Sequence, residues 1–102
     1  MIKISRQVDE WYVDLPFNRY FFEDCYKSNI VDYVNIPTSS IGGGTILGGV
    51  FIDNFLDKKY KNKWLHIDMT WVAFIKNRWK YHEYGATGFG IKSGIKFIKF
   101  LI

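Results

Sequence analysis

At 102 residues the chain is one domain at most, and 48% hydrophobic with 20% aromatic residues is too apolar for a disordered segment. A formal charge of +4 leaves a nucleic-acid or anionic-surface partner open on sign alone, yet the lysines alternate with acids or sit singly, as in Asp57-Lys58-Lys59, which reads as a solvated face. So many aromatics exceed what so small a core covers, and some are expected to face another chain or a further part of a domain.

Residues 1–9 are polar and carry no usable pattern. Trp11, Val13 and Leu15 alternate with Tyr12 and Asp14 until Pro16, which predicts a short edge strand. Phe17, Tyr20, Phe21 and Cys25 fall at three- and four-residue spacing, predicting a short helix within 17–28; Ile30 to Ile36 predicts a second strand, closed by Pro37. Residues 38–45 mix helix N-cap candidates with glycines, and Ile46, Leu47, Val50, Phe51, Asn54 and Phe55 predict a helix over about 43–57. Gly48 and Gly49 inside it each cost about 1 kcal/mol relative to alanine, which implies close approach of a neighbouring element. Asp57 to Lys63 is a charged turn.

The apolar run Trp64, Leu65, Ile67, Met69, Trp71, Val72 and Phe74 predicts a strand covered on both faces, with His66 and Asp68 sharing one face. Residues 74–84 form a loop in which Arg78, Trp79, Lys80, Tyr81 and His82 offer a protein contact. Gly85 to Gly90 is a turn, and Ile91, Ile95, Ile98 and Ile102 predict the buried stripe of an amphipathic terminal helix with Lys92, Lys96 and Lys99 on another face. The order of elements predicts an α/β class: a partial three-layer sandwich, largely parallel sheet, flanking helices and a C-terminal amphipathic helix.

Candidate chemistry is thin. Gly85-Ala86-Thr87-Gly88-Phe89-Gly90 approaches a phosphate loop, but Ile91 separates the last glycine from Lys92, one position late for the Walker lysine. His66, Asp68, His82 and Glu83 are the available metal donors, and the expectation is that His66 and Asp68 serve as hydrogen-bonding groups at a strand end. Cys25 is expected to be a buried, inert thiol, without an internal disulfide partner. The N-terminus lacks a signal-like apolar region, and Ile41 to Ile52 is too short and glycine-broken to span a bilayer; a cytoplasmic location is expected.

Several ordered blocks carry a resemblance. Trp64 to Thr70, followed by Gly85-Ala86-Thr87-Gly88, is similar to a W-A-H-L-D-I-A-G block, a loop and then G-A-T-G. Upstream, Glu10-Trp11 with Leu15-Pro16 and Tyr20, then Asp32 and Asn35, then Ser40 to Leu56, match further blocks in order. The chain thus resembles the C-terminal part of the catalytic domain of the leucine (cytosol) aminopeptidases, over residues 10–102, with 1–9 as an N-terminal polar segment. The resemblance implies removal of N-terminal residues from peptides, a hexamer with sites facing an inner cavity, and two divalent metals, zinc or manganese. The family's metal ligands, catalytic lysine and N-T-D-A-E-G-R motif lie upstream of these blocks, and neither Asp-x-Glu nor Asn-Thr-Asp-Ala occurs here. No catalytic residue and no metal or other cofactor is therefore expected from this chain, which is expected to be inactive alone.

By the same resemblance, Thr70 and Ala73 occupy the positions that wall the pocket for the substrate's first side chain. Trp71 stands where the family has glycine and is expected to crowd that wall or move the backbone. The implied partners are further copies of the chain or a complementary upstream aminopeptidase segment, with a peptide substrate once completed, and neither nucleic acid nor membrane. The alternative is a non-catalytic interaction or scaffold module built on the surplus aromatics and the 74–84 loop.

Overall fold

The computed structural model describes residues 1–38 and 42–102. They divide into two compact units, one formed by residues 15–67 and the other by residues 1–14 and 68–102.

In the first unit, helix α2 (Arg19–Phe22) runs into a 3-10 turn over Glu23–Tyr26. Helix α3 (Gly44–Asp53) supplies the other half of the core. Asn18 caps α2 by accepting the Tyr20 N–H at 3.1 Å. Cys25, Tyr26, Leu47 and Val50 form the buried cluster, with Phe22, Val34, Ile46 and Phe51 packed around it. The Tyr26 hydroxyl donates to the Leu47 carbonyl at 2.8 Å, so the phenol enters this core with its polar end satisfied. Gly43, at φ 70, starts α3 in the left-handed region, where a Cβ would come within 3.2 Å of the Phe22 ring. The glycine pair answers to the close approach its cost implies: a Cβ on Gly49 would meet Phe17 at 3.1 Å and His66 at 3.4 Å.

Residues 30–36 form bends rather than the expected strand. The Ser28 hydroxyl accepts the N–H groups of Ile30 and Val31, at 3.1 and 3.2 Å, which withdraws them from any ladder. Bonds from Val34 N–H to the Tyr26 carbonyl and from Thr38 N–H to the Cys25 carbonyl return this loop to the core. The cap candidates Ser39 and Ser40, and Ile41, lie outside the described residues.

In the second unit, residues 1–9 are not featureless: they carry helix α1 (Ile2–Arg6), which packs against helix α4 (Ile91–Leu101). Between them in the sequence comes a small antiparallel hairpin of β1 (Phe74–Ile75) and β2 (Gly85–Ala86), with Phe74 opposite Ala86 and Ile75 opposite Gly85. Trp79 and His82 exchange backbone bonds of 3.0 Å, closing the hairpin tip around Lys80 and Tyr81. The part expected to be loop is thus the part that pairs.

The described residues therefore mix helices with one two-stranded antiparallel sheet, which is consistent with an α/β class. Residues 11–15 and 64–73 form no strand among them, and Trp71 is 92% exposed. A run that is apolar on both sides needs neighbours on both edges and both faces, and these units do not supply them. The terminal helix forms as expected, but its orientation is the reverse of the expected one. Ser93 is the buried residue, while Ile91, Ile95, Ile98 and Ile102 are 52–96% exposed.

Candidate functional site

The expected pocket positions and the glycine turn come together in the second unit. Residues 68–73 fold into a compact turn. The Asp68 carboxylate accepts the Thr70 N–H at 2.9 Å and the Thr70 hydroxyl at 2.7 Å, and the Met69 carbonyl accepts the N–H groups of Val72 and Ala73. Thr87 fastens the glycine turn onto it: its N–H reaches the Ala73 carbonyl at 2.9 Å and its hydroxyl the Val72 carbonyl at 2.5 Å. Thr70 is exposed and Ala73 half-buried. Trp71 neither crowds this turn nor needs a left-handed backbone, since its side chain points into solvent and its φ is not positive.

Gly88 (φ 73) and Gly90 (φ 93) carry the chain from this staple into α4. At Gly90 the left-handed φ itself favours glycine, and a Cβ would also lie 2.6 Å from the Met69 sulfur, which would have to move, and 3.4 Å from the Tyr12 hydroxyl. Gly90 has no side chain with which to cap the helix, so the first N–H groups of α4 need an acceptor from elsewhere. Glu10 provides it. Its carboxylate, 3% exposed, accepts the Ser93 N–H at 2.9 Å. The Ser93 hydroxyl lies 3.0 Å from the Tyr12 hydroxyl and donates to the Gly90 carbonyl at 3.3 Å, and the Tyr12 ring packs on Phe89 at 5.2 Å.

Burial raises the Glu10 pKa, but the Ser93 side chain and N–H, the Gly90 backbone and the Lys92 charge together outweigh it and hold the carboxyl below its ordinary value. The anion position at the start of α4 is thus filled by the chain's own carboxylate, which removes the phosphate-loop reading of this turn. Glu10 stands in one of the motif blocks, but its pairing with Ser93 does not emerge from the motif spacing. The signal available was a helix opened by glycine, whose orphan N–H groups call for a distant acceptor.

The other candidates are dispersed. His66 belongs to the first unit, where its ring lies on Gly48 and Gly49 and beside Trp64. Asp68 is engaged by Thr70 in the second. His82 stacks against Trp79 and Tyr81, and Glu83 pairs with Arg78 at 3.1 Å. Cys25 is buried in the core. Among the described residues no three His, Cys, Asp or Glu side chains gather where they would hold a metal ion, so the donor set does not fit a divalent-metal centre. Sequence patterning also passed over Asp53, buried on α3, which binds Arg19 at 2.8 Å and Lys61 at 2.9 Å and ties the helix to both flanking segments.

The catalytic-domain model of the cytosol aminopeptidase family matches residues 1–94, from α1 through the staple and into the first turn of α4. The chain belongs to the cytosol aminopeptidase family. It corresponds to the C-terminal part of that catalytic domain. It is similar to a probable cytosol aminopeptidase of Wolinella succinogenes, 34% identical over 98 residues, covering 96% of this chain and 20% of that protein. Probable cytosol aminopeptidases of Helicobacter hepaticus and Campylobacter jejuni are 36% and 37% identical over 94% and 92% of this chain, and 20% and 19% of their own length. The chain therefore spans about a fifth of the curated relatives it matches.

Proposed function

We propose that this chain is the C-terminal segment of a cytosol-aminopeptidase catalytic domain, whose full machinery removes N-terminal residues from peptides. The observation that carries the reading is the family match along residues 1–94 at a fifth of the relatives' length. In this reading residues 10–102 are the catalytic-domain segment, preceded by the short stretch 1–9. The exposed run 64–73 becomes a strand of a largely parallel sheet in a three-layer sandwich once the rest of the domain lies against it. Two divalent metals, zinc or manganese, are held by residues outside this chain, and the completed enzyme is a cytoplasmic hexamer. Thr70 and Ala73 wall the pocket for the first side chain of the peptide.

Alone, the chain does not hydrolyse a leucine-amide substrate, with or without added zinc or manganese. The test mixes it with the upstream four-fifths of the Wolinella succinogenes relative and follows solution mass and leucine-amide hydrolysis. Association with activity that changes substrate preference in Thr70→Ala supports the reading. Activity of the chain by itself, or no association, overturns it.

The hairpin tip favours a second reading, a non-catalytic interaction module. Trp79 and Tyr81 are exposed there, and Lys80 lies 4.6 Å over the Trp79 ring. Association without activity, abolished by Trp79→Ala, selects that reading.

A further inference from the structure

Residues 64–73 have the composition of a strand apolar on both sides, yet their second half is coiled into a turn closed by its own groups. The Asp68 carboxylate accepts the Thr70 N–H at 2.9 Å and the Thr70 hydroxyl at 2.7 Å on a single oxygen. The Met69 carbonyl accepts from both Val72 and Ala73, which requires a helix-like bend over 70–72 that an extended strand cannot keep. The Thr87 hydroxyl donates to the Val72 carbonyl. The bond from the Thr87 N–H to the Ala73 carbonyl, by contrast, continues the hairpin by one residue and is compatible with a longer strand. In the turn Trp71 is 92% exposed; in a strand it would share a face with Met69 and Ala73.

We propose that the 68–73 turn is a latch, which holds the run in a form that cannot pair and opens when the rest of the catalytic domain supplies neighbouring strands. The inference rests on the aminopeptidase reading above, in which 64–73 becomes a strand, and adds that this strand must first be released. An apolar strand with free N–H and C=O groups is a template for pairing with a second copy of itself. Closing those groups within the turn and onto Thr87 withholds the template, while so few bonds leave release within reach of sheet formation. Asp68 is the fastening point. Without its carboxylate Thr70 is freed, and the Met69 bonds alone close a single turn, which is marginal in water.

The test mixes the whole chain with the upstream four-fifths of the Wolinella succinogenes relative and follows association by stopped-flow tryptophan fluorescence. Asp68→Ala associates roughly tenfold faster than wild type, since two hydrogen bonds to a charged group no longer oppose opening. Asp68→Asn, which keeps an acceptor oxygen, stays near wild type. Thr70→Val lacks only the hydroxyl bond and falls between them; it carries the test if Asp68→Ala loses its helical circular dichroism. Alone, Asp68→Ala binds thioflavin and grows in solution mass at concentrations where wild type does neither. Glu83→Ala, which removes an exposed carboxylate on the hairpin, changes neither measurement. Wild-type chain that fails to associate overturns the aminopeptidase reading and the latch with it. Association of wild type with no acceleration in Asp68→Ala or Thr70→Val overturns the latch alone, as does an isolated Asp68→Ala chain that behaves like wild type.

Discussion

Glu10 shows how one side chain can set the behaviour of an element far from it in sequence. Its carboxylate is the acceptor at the start of α4, and the pairing holds its pKa below the ordinary 4.5. A folded-state pKa lowered in this way contributes stability that is complete above the unfolded value and is lost as pH falls through the folded one. Denaturant midpoints of the wild-type chain should therefore drop as pH goes from neutral to below the ordinary carboxylate range. Glu10→Gln should lack that component and be less stable at neutral pH, and Glu10→Ala should cost about 1–3 kcal/mol by leaving the Ser93 N–H without its acceptor. A Gln variant with an unchanged acid limb would remove this role. Gly90 is equally constrained. Gly90→Ala sets a Cβ against the Met69 sulfur at a φ of 93, and chemical denaturation should show a loss above about 1 kcal/mol. Gly94→Ala, with open space at its Cβ and no positive φ, should be neutral or stabilising.

Among the elements, α3 depends on a charge that its apolar periodicity hides. Asp53 lies at its C-terminal end, nearly fully buried, with cations from Arg19 and Lys61 around it. Removing the buried member leaves two partly exposed cations that solvent can recover, so Asp53→Ala should cost about 1–3 kcal/mol rather than the full penalty of a stranded buried charge. Thermal melts of Asp53→Ala and of Arg19→Ala/Lys61→Ala test this: the double variant strands the buried carboxylate and should be the more damaging, and a double variant no worse than Asp53→Ala would contradict it. Helices were legible in the sequence because their periodicity is local: Phe17 to Cys25, Ile46 to Phe55 and Ile91 to Ile102 each announce a helix from within. Strands were not. The run from Trp64 to Phe74 has the composition of a covered strand, but a strand exists only through its neighbours, and among the described residues only Phe74, opposite Ala86, has one. The direction of α4 was illegible for a related reason. Its isoleucines promise burial, yet the contact that fixes the helix comes from Glu10, whose pairing with Ser93 no periodicity encodes. In the candidate site, the glycine turn was readable from motif order, whereas the Thr87 staple that fastens it to the 68–73 turn was not.

At the scale of the whole molecule, the buried apolar cluster is small against the hydrophobic surface left outside it. Trp11, Trp71 and Trp79 are all more than half exposed, so emission of the isolated chain should be red-shifted, with Trp64 the one tryptophan partly withdrawn from water. Completion by an upstream aminopeptidase segment should move that emission to shorter wavelength, Trp71→Phe reporting on the 68–73 turn and Trp79→Phe on the hairpin. An emission maximum insensitive to the added segment would argue that the turn and hairpin stay in water.

The bond from Glu10 to Ser93 joins residues 83 positions apart. The unit that it closes is discontinuous, its first strip made before residues 15–67 and its remainder only after all of them. Residues 15–67 are contiguous and reach their own core contacts first, whereas the other unit has a high contact order by construction and closes last. On the ribosome, residues 1–14 therefore wait, with α1 and Glu10 unpartnered, until α4 has left the exit tunnel. A nascent chain halted before Gly90 should already protect the core around Leu47 and Val50 from protease while α1 is still cut, and release of the last helix should protect both at once.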